Sequence, residues 1–169
     1  MFWRRMGPEE ARVRLVLLRE GVRQKVGALE ARLAKRKAPL EKALKEYRGV
    51  LEHLRRLEAE GRYPEAVLRP ALAREELRIR YAEGEIARLE ELRLSCTEDR
   101  IDADLACGLH GPLVGEIEGL TRAHPLRERL RAQLILALYR SGRQAEALEA
   151  YTSARETLVE ELGIDPGPA

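Results

Sequence analysis

Apolar residues recur along the first third of the chain with the spacing of a coiled-coil helix. The heptad runs in two seams, one formed by Leu15, Val22, Leu29, Arg36, Ala43, Val50 and Leu57, and the other by Val26, Leu33, Leu40, Tyr47 and Leu54. Arg36 is the one residue that interrupts the pattern. A 3.5-residue periodicity kept over six heptads predicts one long helix that packs against another helix.

Proline and glycine mark the expected ends of this helix. Pro8 occupies a position typical of a first helical turn. Gly61 suits a helix C-terminus, and Pro64 suits the start of the next helix. Pro39 lies inside the heptad without changing its phase, so we expect it to kink one long helix. The alternative is a tight turn at Ala38 and Pro39, although no glycine, asparagine or aspartate is present there to form it.

The rest of the chain reads as one more long helix and three short ones. A second helix from about residue 65 to 107 has an apolar face for antiparallel packing on the first, formed by Leu72, Ile79, Ala82, Ile86 and Leu89. Shorter helices are expected at about 112–123, 126–140 and 143–162, separated by glycine and proline. The pattern predicts an all-α fold, with a long antiparallel helical hairpin (coiled coil) over 1–85 and short helical pairs over 86–169.

Composition favours the same fold class. Hydrophobic residues make up 44% of the chain but aromatic residues only 4%, so the core must be aliphatic. Charged residues make up 36%, and β-branched and aromatic residues are few, which disfavours strands. A core built from leucine, alanine and valine suits helices.

Positive charge is concentrated in the predicted hairpin. Residues 1–60 carry a net charge of +7 and the remaining residues −5, and all five lysines fall between Lys25 and Lys45. We interpret this stretch as a solvated helix face, with a nucleic-acid or acidic-partner surface as the alternative. In that alternative the candidate phosphate or acidic-partner contacts are Lys35, Arg36, Lys37, Lys42 and Lys45.

The cysteines and the hydropathy indicate a cytoplasmic protein with no membrane segment. Cys96 and Cys107 lie on one predicted helix, about 16 Å apart, too far for a disulfide. Free thiols, no charged leader followed by an apolar run, and no apolar stretch of about 18 residues all favour this class.

The sequence matches no known catalytic motif and no known metal-binding spacing. The residues considered for a metal or nucleophilic site are Cys96, Cys107, His110 and His124, whose spacing fits no structural zinc pattern and lacks an orienting third group. Asp102 and Asp104 are two apart on a helix and do not share a face, so a solvated or salt-bridged role is expected. We therefore expect no catalytic residues, no cofactor and no metal.

Four blocks of the second half resemble a known family. They begin at Arg100 (Arg-Ile-Asp-Ala-Asp-Leu-Ala), His124 (His-Pro-Leu-Arg-Glu-Arg-Leu-Arg), Leu136 (Leu-Ala-Leu-Tyr-Arg-Ser-Gly-Arg-Gln-Ala-Glu-Ala-Leu) and Val159 (Val-Glu-Glu-Leu-Gly-Ile-Asp-Pro-Gly-Pro). In this order they resemble the bacterial transcriptional activator domain, the tetratricopeptide-like helical half of antibiotic-regulatory-type activators. The resemblance covers about residues 86–169.

One spacing in this half predicts how two helices pack. Ala147, Tyr151 and Ala154 show the small-x3-aromatic-x2-small pattern by which paired tetratricopeptide helices approach closely. Leu134 and Leu138 on the preceding helix would face them. We expect Tyr151 to wedge between the two helices rather than to contact a ligand.

The resemblance implies a non-enzymatic interaction module related to transcriptional activators. It implies a protein partner in the transcription machinery, and the hairpin favours self-association through the coiled coil. Family members carry a winged helix that binds DNA, but residues 1–80 show no strand pair or wing, so specific DNA reading is not expected of this chain. The alternative is a structural coiled coil that binds nucleic acid without sequence preference through residues 25–45.

Overall fold

The computed structural model describes residues 7–163, and this range is helical apart from short connections. The five helices are α1 Pro8–Ala59, α2 Glu65–Ala106, α3 His110–Ala123, α4 Glu128–Arg140 and α5 Gln144–Leu162. Residues 7–163 contain no strand, so the predicted all-α fold is confirmed. None of the described helices is long and apolar enough to cross a membrane. Residues from 164 onward, which end the last sequence block, lie outside the described range.

Glycine and proline end the helices where the sequence predicted. α1 stops at Ala59, and Gly61 follows with a φ of +64°, a left-handed conformation that glycine adopts without strain. α2 then begins directly after Pro64. Pro39 lies inside α1, which continues past it, so the alternative of a tight turn at that position is wrong.

The chain divides into two compact units, and both long helices contribute to each of them. One unit, called here the hairpin unit, is Gly27–Cys96. The other, called the terminal unit, comprises the chain up to Val26 together with the chain from Thr97 onward. The division into domains at residues 1–85 and 86–169 stays a prediction.

Ion pairs fix the antiparallel direction of α1 and α2 in the hairpin unit. Lys37 Nζ lies 2.6 Å from Glu90 Oε1, and Arg48 Nη2 lies 2.7 Å from Glu83 Oε1. A third pair joins Arg55 to Glu76 at 3.3 Å. Because the acidic partner's number falls as the basic residue's number rises, the two helices run in opposite directions, as predicted.

The structure corrects one of the two predicted seams of α1. Residues of the second seam, from Val26 to Leu54, are buried or half-buried. In the first seam, Leu15, Leu29 and Val50 are exposed. Val22, Ala43 and Leu57 of this seam are half-buried as predicted. Three residues that lie one position after a seam residue are half-buried too, and they are Lys37, Leu44 and Leu51.

The physical reason for this difference is that α1 has apolar residues at two adjacent heptad positions, so two neighbouring seams are almost equally apolar. α1 has aliphatic residues at both 43 and 44 and at both 50 and 51, so periodicity alone does not choose between them. The partner helix decides, because Glu90 pairs with Lys37. Arg36, which interrupted the predicted seam, is exposed.

The predicted apolar face of α2 is buried or half-buried, and it also contains one buried glutamate. Its residues from Leu72 to Leu89 at three- and four-residue spacings are buried or half-buried. Glu75 lies on the same face and is also buried. Arg78 donates to Glu75 Oε1 at 2.9 Å and lies over the Tyr47 ring, 5.5 Å from its centroid. A charge-assisted bond and a cation–π contact therefore accompany the aliphatic packing here.

Three short helices and the ends of α1 and α2 form the terminal unit. α3 packs on α4, and α4 packs on α5. Gly142 in the α4–α5 turn has a φ of +81°, and the following residue, Arg143, donates its backbone N–H to Leu138 O at 3.0 Å. The short turn reverses the chain, so α4 and α5 are antiparallel neighbours. The fully buried aliphatic core of the unit includes Ile101, Leu105, Ile117, Leu130 and Leu158.

The corrected seam is testable with two matched leucines. Leu33→Ala is expected to lower the free energy of unfolding by about 2 kcal/mol, the low end for buried leucines, because Leu33 is half-buried. Leu29→Ala should change it by less than about 1 kcal/mol, since Leu29 is 42% exposed. Urea denaturation measures both values. Equal losses in the two variants would mean that the original seam is correct.

Candidate functional site

The residues predicted to pack α4 on α5 divide into four that are buried and one that is not. Leu134, Leu138, Ala147 and Ala154 are all buried. The Tyr151 ring is 51% exposed. Tyr151 therefore does not wedge between the two helices as expected, and its ring lies on the surface beside the two alanines.

An open apolar groove of about 740 Å³ runs along the α4–α5 pair. The small side chains of Ala132, Ala147 and Ala154 leave the space, and larger apolar side chains line it. The larger lining residues are Ile135, Leu136 and Tyr139 from α4, and Leu148, Tyr151 and Leu158 from α5. Gln144 lies near the turn between the helices, and Glu128 lies at the far end.

Several apolar side chains that line the groove are exposed to solvent. Leu148 is 70% exposed, and Leu136, Tyr139 and Tyr151 are exposed too. Contiguous apolar residues of this kind on a folded protein mark interaction sites more often than chance exposure does. The groove is therefore the main candidate for a binding site among the described residues.

Hydrogen bonds to a buried carboxylate and its neighbours hold α4 against α2. Arg127 donates to both oxygens of the buried Glu98, at 2.8 and 3.0 Å. Gln133 Nε2 donates to the backbone oxygen of Glu98 at 2.9 Å and to Asp102 Oδ1 at 2.6 Å. Arg129 also bonds to Asp102, at 2.5 Å. These bonds tie α4 to the last turns of α2, and Arg129 lines the groove as well.

A second buried carboxylate fixes the start of α1 on the end of α2. Asp104 has an exposure of 0%, and it accepts from Arg19 at 2.5 Å, Arg23 at 3.1 Å and Arg100 at 3.0 Å. Burial raises the pKa of Asp104, but the hydrogen bonds from Arg19 and Arg23 outweigh it, and the pKa lies below its usual value. Arg100 also bonds to Glu116 of α3.

The predicted basic contacts on α1 differ in their exposure. Lys35, Arg36, Lys42 and Lys45 are exposed. Lys37 is half-buried and bonds to Glu90 and Glu41, which raise the pKa of Lys37.

A shallow depression of about 640 Å³ in the hairpin unit brings two of the predicted residues, Lys35 and Arg36, together with Arg32. Tyr81, Glu85, Pro39 and Leu40 complete its lining. Arg32 was not among the predicted contacts, although it lies three and four residues before the others, on the same face of a helix.

The cysteines and histidines form no metal centre within residues 7–163. Cys96 and Cys107 are free thiols, and Cys107 Sγ lies 3.7 Å from Leu15 O. No group of three or more metal-binding side chains occurs in the described part of the chain. Burial and, to a smaller degree, Arg140 lower the pKa of His110, so its imidazole stays neutral near pH 7. His124 follows the last turn of α3, and its backbone N–H bonds to Leu120 O.

The family model of the bacterial transcriptional activator domain matches residues 15–169. The match therefore begins far ahead of residue 86, where the sequence blocks had placed it, and it includes most of α1. The earlier limit was wrong because the quoted motifs all lie in the second half of the chain.

Similar proteins are regulators that extend well beyond the stretch they share with this chain. The Streptomyces griseus regulatory protein AfsR is 59% identical over 88 residues, which are 52% of this chain and 9% of AfsR. The Streptomyces peucetius regulatory protein DnrI is 51% identical over 82 residues, 48% of this chain and 30% of DnrI. This chain thus spans about a tenth to a third of these relatives.

A solved structure supports the fold. Mycobacterium tuberculosis EmbR, solved in complex with a low-affinity phosphopeptide, aligns with a TM-score of 0.52 and 32% identity. The alignment covers 80% of this chain and 34% of the EmbR chain.

The pH dependence of stability tests whether Asp104 holds the start of α1 on the end of α2. Asp104→Asn is expected to lower the free energy of unfolding by about 3 kcal/mol near neutral pH, because Arg19, Arg23 and Arg100 lose their shared buried counter-charge. Since folding lowers this pKa, the stability is present above about pH 4 and is lost as pH falls through the folded-state pKa. Urea denaturation should therefore show a gap between parent and variant that narrows at about pH 3.

The matched control is Asp99→Asn, since Asp99 is exposed and bonds to Arg129 on the surface. It should change stability by about 1 kcal/mol or less. A gap between parent and Asp104→Asn that is the same at both pH values would contradict the assigned role.

Proposed function

The chain belongs to the bacterial transcriptional activator domain family, and we propose that it acts in transcription regulation as a non-enzymatic protein-interaction module. The observation that carries this proposal is the exposed apolar groove between α4 and α5. The similar proteins are named as regulators, which supports a regulatory role over an enzymatic one.

The shape and chemistry of the groove suit a helical segment of a protein. α4 has 13 residues, which corresponds to a groove about 20 Å long. An amphipathic helix inserts apolar side chains at three- and four-residue spacings into grooves of this kind. Tyr139 and Tyr151 add aromatic rings with hydroxyl groups, which are frequent energetic anchors of interfaces.

The groove's polar groups do not suit catalysis. Of its charged lining residues, Arg129 bonds to Asp99 and Asp102, and Arg131 donates to Pro125 O at 2.5 Å. No histidine, cysteine or serine lines the groove, so it offers no nucleophile paired with a base. The proposed role is therefore binding.

We place this role in the cytoplasm, in contact with the transcription machinery, as the family resemblance implies. Residues 7–163 are helical throughout, so we do not assign sequence-specific DNA reading by a winged helix to them. Self-association through the hairpin unit remains part of the proposal, because α1 and α2 have further exposed apolar residues such as Val50 and Val67.

The groove is tested by placing a charge in it. Leu148→Glu should weaken binding to purified bacterial RNA polymerase at least about tenfold, because an apolar contact is replaced by a carboxylate. Leu77→Glu is the matched control, since Leu77 is 64% exposed in the hairpin unit and should leave binding unchanged. Biolayer interferometry measures both affinities. Equal affinity of parent and Leu148→Glu would contradict the proposal.

Tyr151→Ala provides a second groove variant. It should weaken the same binding while lowering the free energy of unfolding by only about 1 kcal/mol, because the ring is half-exposed rather than buried. Deletion of a buried aromatic would cost about 3 to 5 kcal/mol. A loss in that range without a change in binding would restore the wedge interpretation.

A second candidate function rests on the depression at Arg32, Lys35 and Arg36. Three neighbouring cations on one helix suit the phosphates of nucleic acid, with binding that is independent of sequence and falls steeply with salt. Tyr81 is the aromatic residue beside them, which leaves little surface for base stacking.

Gel shifts on random duplex DNA distinguish this candidate from the first. If the depression is only a solvated surface, the parent and the double variant Lys35→Glu, Arg36→Glu should both show no shift at low salt. Lys42→Glu, Lys45→Glu has the same charge change on exposed residues outside the depression and is the control. Tight binding that only the first double variant abolishes would favour the nucleic-acid function.

A further inference from the structure

The depression in the hairpin unit contains three cations without a counter-charge. In the described part of the chain, the side chains of Arg32, Lys35 and Arg36 form no hydrogen bond and no ion pair. Glu85 also lines the depression, but its carboxylate bonds to Arg88. The positive charge of the depression is therefore not neutralised within the described residues.

Apolar side chains lie next to these cations. Pro39, Leu40 and Tyr81 line the same depression, and the Tyr81 ring is 68% exposed. Between residues 32 and 40 the helix α1 rises about 12 Å, a length that about two helical turns or about four extended residues span. A ligand that fills the depression must therefore combine negative charge with apolar groups.

Pro39 adds a hydrogen-bond acceptor to the depression. In an α-helix the N–H of residue 39 would donate to the carbonyl oxygen of Lys35, but proline has no N–H. Lys35 and Pro39 both line the depression, which places this oxygen on the lined face of α1. A peptide ligand brings N–H donors for such an oxygen, whereas the phosphodiester backbone of a nucleic acid brings acceptors only.

We infer that the depression binds an acidic peptide segment of a partner protein, with carboxylates on its three cations and an apolar side chain against Leu40 and Tyr81. Guanidinium groups bind carboxylates through charge-assisted, often paired hydrogen bonds. The apolar lining, the carbonyl oxygen of Lys35 and the carboxylate of Glu85, which repels phosphates, all favour a peptide over a nucleic acid. The inference is independent of the groove between α4 and α5, and its occupant differs from that of the second candidate function.

Selection from random peptides tests which chemistry the depression prefers. Phage that display short random peptides are selected on the immobilised full chain, and phage that also bind the double variant Lys35→Glu, Arg36→Glu are removed. This removal discards peptides that bind the groove. The remaining peptides should carry several aspartates or glutamates next to a leucine or an aromatic residue. Both changed residues are exposed, so circular dichroism of the variant should show parent-like helix content.

Fluorescence anisotropy with one selected peptide then identifies the contacts. Lys35→Glu, Arg36→Glu should weaken binding at least about tenfold. The matched control Lys42→Glu, Lys45→Glu makes the same charge change on exposed residues outside the depression and should weaken binding less than about threefold. Tyr81→Ala should weaken binding at least about threefold, because the apolar contact is lost.

Each other outcome overturns the inference. Selected peptides without acidic residues, or equal affinity losses in the two double variants, would exclude the depression as an acidic-peptide site. Parent affinity in Tyr81→Ala would mean that general charge attraction holds the peptide. Duplex DNA that binds the depression more tightly than the peptide does would assign it to nucleic acid. Dimers in sedimentation equilibrium that only Lys35→Glu, Arg36→Glu abolishes would make a second copy of the chain the occupant.

Discussion

The terminal unit depends on two carboxylates of α2 that are out of contact with water. A buried charge is tolerated only when it is paired and hydrogen-bonded. Glu98 meets this need through Arg127, and Asp104 meets it through arginines from α1 and from its own helix. Because each of these bonds has a defined direction, they orient the neighbouring helices more specifically than aliphatic packing alone. Arg129 and Gln133 add further bonds that connect α4, one wall of the groove, to α2.

The number and ends of the helices could be predicted from sequence because local chemistry determines them. Gly61, Gly142 and the prolines act on their own backbone, whatever the rest of the chain does. The phase of the α1 seam is different, because it depends on which of two adjacent residues meets the partner helix. Lys37 rather than Arg36 turns inward since Glu90 is there to receive it, and no short stretch of sequence contains that information.

The candidate site, like the fold, could be predicted from the sequence only in part. The spacing of Ala147 and Ala154 places both on one face of α5, and both are buried. It did not indicate that Tyr151 lies outside the contact. The carboxylate partners were not predictable, because Arg19 and Asp104 lie 85 residues apart. The block that begins at Arg100 resembled the family, and the ion pairs now give Arg100 and Asp104 a physical role.

The discontinuity of the terminal unit has a consequence for how such chains vary. Its two segments are separated by the hairpin unit, which leaves after Val26 and returns at Thr97, so the hairpin unit is in effect an insertion. Its two helices meet through a seven-residue repeat. Loss or gain of one heptad in both helices together would preserve their register and leave the insertion points unchanged. The length of the hairpin can therefore change in paired heptad steps without altering the two segments of sequence that form the terminal unit.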